Sequence, residues 1–262
     1  MRELTNLGWP ETPFGSVTTP VQKPGTWLTG ISLLWGEAGG DPVLMGAGMV
    51  LMKIHRTQAL PVSAPLINFG YRVLVPETLD ETQAIVRQLD VVLVQARRKA
   101  QILAWHNGAD DLHVLRQLPR AEGEPRHPGV TAIADAWEDR TTRERGTVRC
   151  VDTSQDLGPA GLISDTAAKH GVIPMYVFAG SRQQERAQEA CDAIAEGRTA
   201  DYSVDALACS VLSSAVITAL LGGKHTERLH WEEPLSVFEV LSQAAWEVAP
   251  SLLSGVPATR SQ

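Results

Sequence analysis

Three apolar, β-compatible runs follow one another between Trp27 and Pro76: WLTGISLLW, PVLMGAGMVLMKI and NFGYRVLVP. The turn-like GEAGGD separates the first two, and a loop with Pro61 and Pro65 separates the second from the third. No helical period intervenes, which predicts an antiparallel meander. The period then changes. In TLDETQAIVRQLDVVLVQARR, Leu79, Ile85, Val86, Leu89, Leu93 and Val94 recur at helical spacing, and Thr78 with Glu81 predicts a capping box. AQILAW predicts a short buried strand, followed by a helix from about Asp110 to Leu118, and VRCVDT predicts another strand. GLISDTAAKHGV reads as a short helix stopped at Gly171. SRQQERAQEACDAIAEG is a polar amphipathic helix with a solvated Arg186/Gln183/Glu189 face. YSVDALACSVLSSAVITALLGG is the most apolar helix, expected to be buried and stopped by Gly222-Gly223. PLSVFEVLSQAAWEVAPSLL predicts a final helix.

The predicted order is β-β-β-α-β-α-β-α-α-α-α. This is the plan of an α/β, ribonuclease H-like mixed five-stranded sheet flanked by helices. Residues 1–26, with four prolines and three glycines, read as an extended or partly disordered arm. Residues 27–222 read as the main domain and 223–262 as its C-terminal helical extension. Residues 119–146 are polar and insertion-like, with TAIADAW adding a helical turn. A dinucleotide-binding fold needs a helix after the first strand, and Gly46-Ala47-Gly48 is followed by more strand, so it is no nucleotide fingerprint.

Composition narrows the function classes. The 262 residues are 44% hydrophobic and 20% charged, as in a packed globular protein. Basic and acidic residues number 23 and 30, a net charge of −7, which argues against a surface that grips nucleic acid throughout. It does not argue against a carboxylate-rich metal site. Only five of the 23 basic residues are lysines. Seven tryptophans equal the tyrosines and phenylalanines together, a bias to which the sequence attaches no role. The first residues lack the apolar segment of a secretory signal, and no apolar run is expected to cross a bilayer. Cys150, Cys191 and Cys209 have neither disulfide-framework nor zinc-site spacing, so a reduced, cytoplasmic protein is expected. Cys209 reads as inert core and His113 as exposed. No P-loop, Gly-x-Ser-x-Gly or His-Glu-x-x-His motif is present.

The segment ILAWHNGADDLHVLRQL, residues 102–118, carries the chemistry. A strand ends at Trp105, His106 and Asn107 turn the chain, and Asp110 and Asp111 open a helix, where carboxylates complement the positive helix end. The segment resembles the second motif of the DEDD 3′–5′ exonuclease family, in which a strand ends in His-Asn and an aspartate follows five residues after the histidine. Asp111 falls on that position, and Asp110 replaces the usual aromatic residue. VRCVDTSQDLG is similar to the family's fifth strand, with Asp152-Thr153, and GLISDTAAKHGV to the helix that follows. YSVDALACSVLSSAVITALL is similar to the last helix, whose Asp-Ala pair is here Asp205-Ala206. ISLLWGEAGGDPVLMGAGMVL is similar to the first motif. The likeness spans about residues 27 to 221.

The resemblance implies two-metal phosphodiester hydrolysis. Carboxylates from the first strand and two helices would hold a pair of Mg²⁺ or Mn²⁺ ions about 4 Å apart. The implied ligands are Glu37, Asp111 and Asp205, with Tyr202 as the water-positioning group and His106 and Asn107 on the substrate. Single-stranded nucleic acid is the implied partner and no membrane is. Two departures stand out. The Asp-x-Glu of the first motif is Trp35-Gly36-Glu37, so the first aspartate is an indole. Tyr202 precedes Asp205 by three residues, with Asp201 at the four-residue position and Ala200 at the five-residue one. Asp41, Asp152 and Asp201 are the substitute carboxylates. An indole cannot replace a bridging aspartate, because hard dications need several anionic oxygens. Two expectations follow. One is an exonuclease-like protein with impaired or lost hydrolysis, acting as a nucleic-acid-binding or regulatory module. The other is an active Mg²⁺/Mn²⁺-dependent 3′–5′ exonuclease. The carboxylates are expected to cluster, with at least one raised pKa, and Trp35 to lie at a strand end.

Overall fold

The computed structural model describes residues 1–6, 27–64, 67, 69–118, 127–139, 148–158, 161–175, 182–198 and 202–243. The meander forms as predicted. Strands β2 (Trp27–Ala38) and β3 (Asp41–Lys53) pair antiparallel, and β5 (Phe69–Val75) pairs antiparallel with β3. The hairpin turn is narrower than GEAGGD: Ala38 pairs with Asp41 across Gly39-Gly40, whose φ values of 63° and 90° favour glycine. The strand therefore runs three residues past Trp35, which lies inside β2 and not at its end. A register shift between Leu34 and Trp35 marks a bulge against β3 at that place.

Strand β6 (Ile102–Trp105) lies parallel beside β2, and β7 (Arg149–Asp152) lies parallel beside β6. The expected sheet has five strands; the observed one has six among the described residues. β1 (Arg2–Thr5) pairs antiparallel with β5, so the first residues of the predicted arm are an edge strand. Residues 7–26 lie outside the described residues. The strand order is β1-β5-β3-β2-β6-β7. The protein is thus α/β with a mixed six-stranded sheet.

Both sheet faces are covered, which is why β2 and β3 read as continuous apolar runs without alternation. On one face lie α1 (Thr82–Lys99), α2 (Gly108–Gln117) and α3 (Pro128–Glu138), packed on Ile31, Met49, Leu74 and Leu103. The Thr78/Glu81 capping box is present, on a 3₁₀ turn that leads into α1. The insertion reading needs correction. Residues 128–138 are a full helix, with Pro128 in its first turn and Val130, Ile133, Ala134 and Trp137 buried at helical spacing. Asp90, buried in α1, accepts a hydrogen bond from the Val130 N–H at 2.8 Å and so caps α3 from outside.

The opposite face carries α7 (Val204–His225), with α4 (Thr153–Asp156), α5 (Ile163–Lys169) and α6 (Arg182–Ala195) around it. Gly46-Ala47-Gly48 now has a physical role. A Cβ on Gly48 would stand 2.4 Å from Val211 Cγ1, so the glycines let α7 lie against the sheet. By length and hydropathy α7 could cross a membrane, contrary to the expectation that no run was long enough, but 83% of its apolar window is buried in this fold. The C-terminal extension joins the same body. β9 (Leu229–His230) pairs with β4 (Leu60–Pro61), and β10 (Leu235–Ser236), which leads into α8 (Val237–Gln243), pairs with β8 (Val172–Ile173). The predicted last helix beyond residue 243 lies outside the described residues.

Candidate functional site

Ile31, Leu33 and Trp35 alternate onto the α1–α3 face of β2, because strand side chains have a period of two. β6 ends beside them at Trp105, and Asn107, with φ 60°, turns the chain directly into α2. Asp111 lies in the first turn of that helix and points back under both strands. Its Oδ1 accepts the Trp35 indole N–H at 2.8 Å, and its Oδ2 accepts the Trp105 indole N–H at 2.7 Å. Both oxygens are thus held by neutral dipoles. Burial pushes the Asp111 carboxyl up to about 7; the two indole donors act against that shift, while Asp152 and Asp110 add to it. One carboxyl is raised, as expected, but mainly by its surroundings and only secondarily by neighbouring carboxylates.

Asp152 ends β7 and is fully buried. Its Oδ1 accepts from the Ser154 N–H at 3.1 Å and hydroxyl at 2.6 Å, capping α4. Its Oδ2 accepts the Trp137 indole N–H at 3.2 Å and the Ala109 N–H at 3.4 Å. Trp137 meets Trp105 edge to face, with centroids 6.1 Å apart. Three of the seven tryptophans therefore serve two carboxylates.

A cavity of about 210 Å³ opens over Asp111, lined in part by Ser32, Trp35, His106, Asn107, Gln183 and Ser214. None of its described lining residues is Lys or Arg. His106 forms one wall: Nδ1 is 3.0 Å from the Thr153 hydroxyl and Nε2 is 3.2 Å from the Gly161 carbonyl. Burial pushes its imidazole below the usual range, against the carbonyl contact and the charge of Asp152. His106 is accordingly neutral at pH 7. Asn107 is exposed at the cavity mouth.

The other implied ligands lie elsewhere. Glu37 is exposed near the end of β2, and the side-chain amide of Gln188 in α6 grips its backbone N–H and carbonyl, each at 2.9 Å. Asp205 opens α7 and forms an ion pair with Arg2 of the edge strand at 2.9 Å. Tyr202 lies on that side too. Burial, then the charges of Glu77 and Glu81, raise its hydroxyl pKa. β5 and β3 stand between the edge strand that holds Asp205 and the strands above Asp111. Glu37, Asp111 and Asp205 do not form the expected cluster: among the described residues no three His, Cys, Asp or Glu side chains converge to hold a metal ion. Asp41 is exposed at the hairpin, and Asp201 lies outside the described residues.

The face of α6 expected to be solvated is so only in part: Glu189 is exposed, while Gln183 and Arg186 are half-buried. Gln183 bonds Ser214 and lines the cavity, and Gln184 donates to the Trp35 carbonyl at 2.8 Å. His113 is exposed and Cys209 buried, as expected; burial pushes the Cys209 thiol up to about 12, which leaves it unreactive. Trp105, Trp137 and Gln183 were missed as site residues. The tryptophan excess was the one signal for the two indoles, and it carried no position; Gln183 had no signal at all.

No protein-family model matches the chain, and no curated protein matches it.

Proposed function

We propose that this chain is an exonuclease-like protein of the ribonuclease H-like fold in which a two-metal centre has given way to an indole–carboxylate network. It acts as a binding or regulatory module that does not hydrolyse phosphodiesters. The order of three antiparallel strands followed by two parallel ones supports the ribonuclease H-like assignment. The observation that carries the functional reading is the double indole capture of Asp111.

The residues present do not fit a pair of dications. A metal ion at Asp111 would have to displace at least one N–H donor and would meet the Trp35 ring where a second carboxylate is required. Asp205, the other implied ligand, is committed to Arg2. Without a metal, the cavity holds one carboxyl near neutrality, one neutral imidazole and several amides and hydroxyls. These groups can hydrogen-bond a ligand but supply little stabilisation to a pentavalent phosphorus. Single-stranded nucleic acid is the partner to test first.

The test has two parts. Incubated with Mn²⁺ and end-labelled single-stranded DNA or RNA, the protein leaves the strands intact, and calorimetry shows no tight Mn²⁺ site. Trp35→Asp removes one indole and adds one carboxylate, and it gains measurable Mn²⁺ affinity. Robust Mn²⁺-dependent degradation by the unchanged protein, lost on Asp111→Ala, would overturn the reading in favour of an active exonuclease.

A further inference from the structure

A second cavity, of about 550 Å³, lies between α1 and α3, away from Asp111. Its described walls are Val94, Arg97 and Arg98 on α1 and Pro128, Gly129 and Ala132 on α3. The spacing explains the shape. Val94, Arg97 and Arg98 stand three and four residues apart, so they share one helix face. On α3, Gly129 brings the two backbones together: a Cβ there would stand 2.2 Å from the Asp90 carbonyl oxygen and 3.0 Å from the Val94 nitrogen. Beyond that crossing the short side chains of Pro128 and Ala132 leave the space unfilled.

The chemistry of the walls is asymmetric. The interior is aliphatic, and the only charged groups among its described walls are two guanidinium groups. Both arginines are exposed, and neither side chain makes an ion pair or hydrogen bond among the described residues. Basic residues in the last turn of α1 complement the negative helix end, which accounts for their charge. It does not account for an apolar cavity beneath them. A site of several hundred cubic ångströms with an apolar interior and a few convergent polar groups has the form of a small-ligand site. Guanidinium pairs select planar or tetrahedral oxyanions, because their N–H donors match the oxygen spacing.

We propose that the α1–α3 cavity binds a small anionic amphiphile, with its apolar body against Val94, Pro128 and Ala132 and its carboxylate or phosphate head between Arg97 and Arg98. The site is independent of the proposal for Asp111, and nuclease or Mn²⁺ assays do not report on it.

Calorimetry on the full chain with octanoate, octyl phosphate and octanol tests the proposal. At least one of the two anions binds no less than tenfold more tightly than octanol, and the tighter one assigns the head group. Arg97→Gln with Arg98→Gln, both exposed and so harmless to the fold, lowers affinity for that anion at least tenfold and leaves octanol unchanged. Ala132→Phe fills the cavity and weakens all three. Equal binding of anions and octanol, anion binding indifferent to the arginine substitutions, undiminished binding by Ala132→Phe, or no binding of either anion would each overturn it.

Discussion

Asp111 and Asp205 are both aspartates in the first turn of a helix, and the fold treats them in opposite ways. Asp205 stands at the sheet edge, 36% exposed, and meets the 42% exposed Arg2 in an ion pair. Water screens such a pair and both side chains give up freedom to form it, so pairs of this kind contribute about 0–1 kcal/mol. Asp111 is partly buried under β2 and β6, where no Lys or Arg is among the described cavity residues, and two indole N–H groups stand in for a cation. Hydrogen bonds to a charged acceptor in such surroundings are worth about 1.5–3 kcal/mol each, and leaving the acceptor without them costs its desolvation. The lesson is that residue type and helix position do not settle a carboxylate's role. Its surroundings do.

Four measurements sharpen or break this contrast. The largest effect is expected at Trp105, which is fully buried and bonds Asp111 while packing on Trp137. Trp105→Phe removes the donor and leaves a gap, and it should lower stability by about 2–4 kcal/mol, read from urea unfolding. A loss below about 1 kcal/mol would show that the indole–carboxylate contact is weak. Trp35 makes the same bond from the cavity side, where water can replace its N–H. Trp35→Phe should therefore cost less, about 1–2 kcal/mol. A cost equal to that of Trp105→Phe would mean that the cavity is dry.

The third measurement is a pH profile. Asp111 titrates near 3.8 when unfolded and near 7 when folded, so between those values the folded chain holds more of the proton. Its contribution to stability is fully present below pH 4 and declines as pH rises to 7, by at most about 1.4 kcal/mol per pH unit. Asp111→Asn should remove that decline, seen as a flatter dependence of unfolding free energy between pH 5 and 7.5. Identical slopes in the two proteins would mean that Asp111 is already ionised at pH 5. The smallest effect is expected at the sheet edge: Arg2→Ala should change stability by less than about 1 kcal/mol, and added salt should shrink the difference further. A larger loss would make the edge pair structural and erase the contrast with Asp111.

Much of the architecture could be read from pattern alone. The three apolar runs, the helical period from Leu79 to Val94 and the short strands ending at Trp105 and Asp152 are local properties, and a period of 2 or 3.6 survives whatever the chain packs against. The burial of α7 was legible for the same reason, since a helix apolar all round must be enclosed. Harder to read were elements whose stability comes from partners distant in sequence. β1 is only four residues long and owes its place to β5, whose paired residues are 67 to 73 positions away. α3 looked like part of a polar insertion until Asp90 and the α1 surface supplied its cap and its core. The site divides in the same manner. His106, Asn107 and Asp111 lie within one strand–turn–helix unit, so their proximity follows from the chain itself. The partners of Asp111 come from 76 positions away at Trp35 and 6 at Trp105, and Asp205 is taken by Arg2 across the sheet edge. Sequence determined which groups could donate, accept or carry charge; only the packing of β2 against β6, with α2 beneath them, decided that the donors reaching Asp111 would be indoles.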